Sequence, residues 1–319
     1  MAEKTIRVLY PPGMQWEMMI QRPHHLLKLA AEIGWQVVWC EVGPYGKPVE
    51  VLPNFWVIRD LQSMKAFAPY HLAYITDPLQ LKYIDSRIRP KLLVYDRCDP
   101  RGPAEYRLMK EADLVLSTTS YLMKEAQQHA AGKVLLVPNA ADPKHFKDGE
   151  KRKPGKPPVI GYVGVLAAHL DYRLLNDLII ARPNYNWLFA GQEKAVHLPQ
   201  NPAVRRLGHV HYEELPALLS QMDAVMVPFL DTPHTRIVES VKIFEYLAAG
   251  KQVVASQLAP LEKRDWPLRL AADTQQWLES LEAALEAGPF CEQAQAWIKN
   301  HTWRHRFAQM YQAVMEVLS

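Results

Sequence analysis

Cysteine is scarce in this chain of 319 residues: Cys40, Cys98 and Cys291 stand far apart, with neither metal-ligand nor disulfide-framework spacing. A reduced, cytoplasmic protein without a metal site is the expectation. No apolar run approaches the roughly 20 residues that a membrane-spanning helix needs. The start, MAEKTIRVLYPPG, reads as a lead into a strand rather than as a secretory signal. There is no G-x-S-x-G elbow, no G-x-x-x-x-G-K-[ST] loop, no zinc-spaced His/Cys/Asp cluster, and no G-x-G-x-x-G turn with its distal acid. These gaps argue against a serine hydrolase of that type, a P-loop nucleotidase, a zinc enzyme and a dinucleotide dehydrogenase. The basic run Lys151 to Lys156 has no interleaved aromatics, so nucleic acid is not an expected partner. Net charge is small, +3, but uneven: residues 1–153 are basic by five and the rest is acidic by two. The basic half suits an anionic acceptor or the inner face of a membrane as well as it suits plain solvation.

The pattern that is present alternates strand and helix. Ile6 to Tyr10 starts a strand, Pro23 to Ile33 a helix with Leu26, Leu27, Leu29 and Ala30 inward, and Gln36 to Cys40 the next strand. Further apolar runs lie at 55–58, 72–75, 92–95, 114–117 and 134–137, with a helix over Ser120 to Ala130. The stretch Lys147 to Pro158, KDGEKRKPGKPP, has charge, Pro and Gly but no apolar period, and reads as a linker. The pattern restarts at Val159-Ile160-Gly161-Tyr162-Val163. An α/β protein of two doubly wound parallel-sheet domains is expected, residues 1–150 and 159–302 about a linker at 147–158.

The most informative run is Val238 to Ser256, VESVKIFEYLAAGKQVVAS. It reads as a short helix stopped by Gly250 and followed at once by a buried strand. At 100° per residue Val241, Phe244, Leu247 and Ala248 share one side, while Glu239, Lys242, Glu245 and Tyr246 share the other. The loop Phe229 to Ile237 joins an upstream strand end to this helix, which is where open α/β sheets bind nucleotides and phosphates. A lysine in the first turn opposes the helix dipole by roughly 0.3–1 kcal/mol, a conflict that a bound anion removes.

This run resembles the donor helix of the group 1 glycosyltransferases, the nucleotide-sugar enzymes of GT-B fold. Thr235-Arg236, Lys242 and Phe244-Glu245-Tyr246 follow one form of the motif, with Glu239-Ser240 in place of its Asn-Pro and Ile237 where the general form has a first Glu. The segments Asp113-Leu114-Val115, Val137-Pro138-Asn139-Ala140, Leu207-Gly208-His209-Val210 and Glu213-Glu214-Leu215-Pro216 are also similar to family segments. Gln21-Arg22-Pro23-His24 and Val94-Tyr95-Asp96 with Asp99 resemble a branch that includes teichuronic acid biosynthesis glycosyltransferases. The resemblance implies two Rossmann-like domains facing across a cleft, with the last helix (303–319) packed back on the first. It implies transfer of a sugar, with retention and without a metal or cofactor, from a nucleotide-diphosphate donor to a glycan or lipid-linked glycan acceptor.

On that resemblance Glu245 holds the donor ribose, and Gly208, His209 and Val210 lie at the base. Gly164 and Val165, in the turn after the strand at 159–163, allow backbone to approach a phosphate. Many relatives carry an Arg at the Val165 position and a Lys soon after; with neither here, Arg236 and Lys242 are the candidates for the diphosphate charge, ahead of Arg173. Glu239 is a candidate for the sugar contact that Ile237 cannot make. On the acceptor side Trp16, Gln21 and Arg22 suit a sugar platform, and His24 and Asp99 could orient or deprotonate the acceptor hydroxyl. Two other readings stay open: a GT-B epimerase or hydrolase of nucleotide-sugars, and a non-catalytic nucleotide- or carbohydrate-binding module.

Overall fold

The computed structural model describes residues 5–17, 19–41, 43–44, 46–146, 157–194, 197–262, 265–288 and 290–318. It divides into two compact units, residues 1–138 with 303–319, and residues 139–302.

Unit 1 is built from β1 (Arg7–Tyr10), α1 (Arg22–Glu32), β2 (Gln36–Cys40), β3 (Val49–Leu52), β4 (Phe55–Ile58), α2 (Leu61–Ala66), β5 (Leu72–Ile75), β6 (Leu92–Arg97), α3 (Ala104–Glu111), β7 (Leu114–Ser117), α4 (Ser120–His129) and β8 (Lys133–Leu136). The eight strands run in the order β3-β4-β2-β1-β5-β6-β7-β8. Only β3 is antiparallel, and it is the strand least buried. The parallel strands are apolar on both faces because helices cover both, as crossovers in a parallel sheet require. Val8 pairs with both Val37 and Leu72, so the winding reverses at β1, the switch point of this sheet. α1 buries Leu26, Leu27, Leu29 and Ala30, and ends before Gly34, whose φ of 90° turns the chain into β2.

Unit 2 follows as β9 (Val159–Val163), α5 (Tyr172–Ala181), β10 (Asn186–Ala190), β11 (Val204–Arg206), α6 (Leu215–Ser220), β12 (Ala224–Val227), α7 (Val241–Ala248), β13 (Val253–Ser256), α8 (Ala259–Glu262), β14 (Arg269–Ala271), α9 (Thr274–Glu286) and α10 (Glu292–Ile298). Its six parallel strands run β11-β10-β9-β12-β13-β14, with the switch point between β9 and β12. One apolar cluster lies on each face, the first around Phe244, Leu247 and Val225, the second around Tyr162, Leu178 and Trp277.

The last helix, α11 (Trp303–Leu318), belongs to unit 1. There His25 of α1 stacks on Trp303 at 4.8 Å, and Trp35 meets Phe307 and Tyr311.

The boundary between the units differs from the expected one near residue 150. Residues 139–146 belong to unit 2, for a physical reason: Ala140 and Ala141 are buried, Phe146 joins that unit's core, and His145 stacks on Tyr212 at 4.1 Å. Of the expected linker, 147–158, residues 147–156 lie outside the described residues.

Candidate functional site

At the switch point of unit 2, three chain turns come together where β9 and β10 end. Gly164 has φ of 148° and donates its N–H to the Ala190 carbonyl at 2.7 Å. Gly191 has φ of 141° and donates to the Gly208 carbonyl at 2.5 Å; a Cβ on it would sit 2.0 Å from the Gly164 oxygen. Both positions therefore demand glycine for two reasons, left-handed backbone and close approach.

Lys242, in the first turn of α7, lies along Gly164 so closely that a Cβ there would fall 1.8 Å from its Cε. Its ammonium stands 5.9 Å from the ring centres of Tyr162 and Phe229. Glu245 follows one turn later, and both side chains are partly buried. Among the described residues neither makes a side-chain hydrogen bond or an ion pair. Burial therefore works against both charges: it lowers the Lys242 pKa, which Glu245 only partly restores, and pushes Glu245 up to about 7 against the pull of Lys242. A phosphate and a hydroxyl-bearing group are what such a pair lacks. Two ionisable groups held away from their preferred charge, with no hydrogen bond among the described residues, make this a candidate binding site.

Tyr246 corrects the expected face. It is buried, and its hydroxyl accepts the Val163 N–H at 2.7 Å while donating to the Val163 carbonyl at 3.0 Å. That double bond pins α7 to the end of β9, so Gly164, Lys242 and Glu245 form one rigid arrangement. His169 completes it. It lies 3.3 Å from the Tyr162 hydroxyl and edge-on to Phe229, and burial, then the Lys242 and His234 charges, hold its pKa down to about 4. A neutral imidazole thus stands beside the lysine at neutral pH.

Other sequence candidates in unit 2 are placed differently. α7 begins at Val241, not Val238, and Glu239 precedes it in a buried position, where its Oε2 accepts the Asn139 N–H at 3.0 Å and its carbonyl accepts the Asn139 Nδ2 at 2.8 Å. The structure thus turns Glu239 onto main chain instead of along the open face of α7. Arg236 forks onto Asp231 with two 2.7 Å contacts in an exposed pair. Val165 lies in the glycine turn and its carbonyl accepts the Tyr162 hydroxyl at 3.2 Å. His209 is exposed beside His211 and Val210 packs on the core, while Gly208 has φ of 68°.

In unit 1 the loop after β1 is pinned by Trp39, whose Nε1 donates to Met14, and by Gln80, whose Nε2 donates to Pro11. Trp16 is partly exposed, lies against Phe55 at 4.5 Å, and has the Lys28 ammonium 5.0 Å from its ring centre. His24 is corrected from acceptor base to cap: it is fully buried, its Nδ1 accepts the Gln21 N–H at 3.1 Å, and its ring lies 4.4 Å from Trp39. Burial, then Lys28, hold its pKa down to about 4. Arg22 is likewise turned inward, paired with Asp96 at 2.7 Å and donating to Pro138. Tyr74 also donates to Asp96. Asp99 stays at the surface in the loop after β6, 3.9 Å from Arg101.

The structure thus brings Gly164, Val165, Lys242 and Glu245 together, and separately Trp16, Gln21 and His24. The residues missed from sequence are Gly191, His169, Tyr246 as a clamp, and Asn139. His169 alone carried a signal: it is the only ionisable side chain between Gly164 and Asp171. Among the described residues no cluster of three His, Cys, Asp or Glu side chains has metal-binding geometry, and no helix is long and apolar enough to cross a membrane.

Residues 157–287 match the family described as glycosyl transferases group 1. A protein of Bacillus subtilis strain 168 named as a teichuronic acid biosynthesis glycosyltransferase, TuaH, is 27% identical over 180 residues. That match covers 51% of this chain and 45% of the relative, so the chain spans less than half of the relative's length. Among solved structures, sucrose-phosphate synthase from Thermosynechococcus elongatus superposes with a TM-score of 0.77 at 15% identity over 99% of both chains. A UDP-forming trehalose-phosphate synthase from Burkholderia xenovorans reaches 0.71 at 14% identity, covering 99% of this chain and 100% of the other. At these identities the superpositions carry the fold alone, and the fold is GT-B.

Proposed function

We propose that the protein, whose residues 157–287 match the group 1 glycosyl transferases on a GT-B fold, moves a sugar from a nucleotide-diphosphate donor to an acceptor hydroxyl. The observation that carries this reading is the Lys242 ammonium laid against the Gly164 turn with Glu245 one helical turn beyond, neither making a side-chain hydrogen bond or ion pair among the described residues. A donor supplies what each lacks. The diphosphate takes the lysine charge, and the ribose diol donates to the Glu245 carboxylate.

In the transfer the bond from the anomeric carbon to the diphosphate oxygen breaks, and the acceptor oxygen bonds that carbon as its proton passes to the departing diphosphate. The charge that grows on the departing diphosphate is what Lys242 and the helix N-terminus stabilise, without a metal in this proposal. Retention of configuration is part of the reading. Asp99, partly exposed after β6, and Trp16 are the residues that would meet the acceptor. The likeness to TuaH supports a cell-surface polysaccharide or its lipid-linked precursor as that acceptor.

Calorimetric titration with UDP, GDP, ADP and dTDP, with and without a chelator, tests the donor half of the proposal. One nucleotide binding well above the others, chelator or not, is expected. Binding of none by folded protein would sink it. The acceptor half is tested by following sugar transfer from the matching nucleotide-sugar; exchange of the sugar C2 hydrogen with deuterated water would instead point to an epimerase.

A further inference from the structure

Helix α7 carries the two donor-binding charges, yet its N-terminus has none of the usual supports. Ser240 at the N-cap makes no side-chain cap bond, and the first turn holds no acid. What anchors it comes from a hundred residues away. Asn139 donates its N–H to the Glu239 carboxylate at 3.0 Å and its Nδ2 to the Glu239 carbonyl at 2.8 Å, with both residues buried. Asn139 is itself a fixed point, since Ala140 and Ala141 after it are fully buried and Ala141 pairs with Thr302. Glu239 stands three residues before Lys242, so the position of Asn139 is passed directly to the turn that holds the lysine.

We propose that Glu239 is a positioning residue for the diphosphate, which through its paired bonds with Asn139 fixes the start of α7 and with it Lys242. It does not act as a ligand of the donor sugar. This rests on the reading of unit 2 as a nucleotide-sugar site. The two roles separate experimentally. A sugar ligand affects only the intact nucleotide-sugar, whereas a residue that places Lys242 affects the bare nucleoside diphosphate equally.

The test compares Glu239→Ala, Glu239→Gln and Asn139→Ala in the full chain. Amide hydrogen exchange over residues 241–248 is measured without nucleotide, and UDP, GDP, ADP and dTDP are titrated by calorimetry. Glu239→Ala should speed exchange at the start of α7 about tenfold, the scale of one lost buried hydrogen bond. It should weaken the nucleoside diphosphate that binds wild type by a similar factor of about ten. Glu239→Gln keeps an oxygen that accepts the Asn139 N–H, and should restore both readings to within about threefold. Asn139→Ala should fall between the two.

Unchanged exchange and unchanged diphosphate affinity in Glu239→Ala, with loss confined to the nucleotide-sugar, would overturn the proposal in favour of a sugar contact. A Gln variant as impaired as the Ala variant would overturn it too. If wild type binds no nucleoside diphosphate, the donor-site reading fails on its own, and the exchange comparison still decides whether Glu239 holds the helix.

Discussion

Arg97 in unit 1 and the Lys242–Glu245 pair in unit 2 are sheltered charges treated in opposite ways. In unit 1 Arg97 is fully buried at the end of β6, yet every nitrogen of its guanidinium is used: Nε and Nη2 fork onto Glu105 at 3.0 and 2.9 Å, Nη2 also reaches Glu125, and Nη1 donates to the Leu122 carbonyl. Burial alone would lower its pKa; the bonds to Glu105 and Glu125 outweigh it and raise it. In unit 2 Lys242 and Glu245 have no such bonds among the described residues, and burial moves each toward its neutral form. Arg97 is saturated with partners. Lys242 and Glu245 are left short of them, and on the proposed function a bound donor would make up the difference.

The sharpest break of this contrast is in unit 1. Glu105→Ala would leave Arg97 buried with half its partners and should cost about 3 kcal/mol of stability, read by denaturant unfolding, with nucleotide affinity unchanged. Next is Gly164→Ala, which both forces a side chain onto φ of 148° and drives Lys242 from its place. It should weaken nucleoside diphosphate binding by about 2–3 kcal/mol. Lys242→Ala should cost about 1.5–3 kcal/mol for the same ligand and almost nothing for the bare nucleoside. Equal loss for both ligands would remove the lysine from the diphosphate.

Glu245→Gln should be opposite in sign for stability and binding. The folded-state pKa of about 7 lies above the ordinary 4.5, so the folded protein favours the protonated carboxyl, and the stability this provides is lost as pH rises through about 7. Above that pH the Gln variant should be more stable than wild type by about 1 kcal/mol, discounted for partial exposure, while binding nucleoside less tightly. The smallest effect is in wild type: nucleoside affinity should rise as pH passes up through about 7, because the ionised carboxylate is the better acceptor for a ribose diol, and the Gln variant should not follow it. A flat profile in wild type would detach Glu245 from the ribose.

Much of the architecture could be read from apolar runs, because parallel strands buried on both faces need continuous Val, Leu and Ile, as at 92–95 and 224–227. The antiparallel edge strand at Val49–Leu52 gave no such signal, since its residues are mostly exposed and include Glu50. At the site, the glycine turn, Lys242 and Glu245 were legible because each is a local conflict: glycine after a strand, a cation at a helix start, an acid on a short amphipathic helix. What was not legible depends on partners far away in sequence. Tyr246 reads as a polar-face residue until Val163, 83 positions away, takes both roles of its hydroxyl. Glu239 reads as a candidate sugar contact on the polar face of the helix, whereas its carboxylate accepts the Asn139 N–H. His24 reads as a first-turn histidine turned to an acceptor, while Trp39 and Trp16 close over it. Residue chemistry is written in the sequence; whether a polar atom meets solvent or a distant peptide is not.

The chain leaves unit 1 after Pro138 and rejoins it at Trp303, and just inside unit 2 Ala141 lies beside Thr302 as a parallel bridge. Both ends of the second unit therefore emerge at one spot, which gives 139–302 the topology of a cassette inserted into a host chain. Such a cassette can be cut out without stretching either side. A gene fragment for 139–302 should yield a free-standing nucleotide binder, and joining residues 138 and 303 by a few residues should close the host.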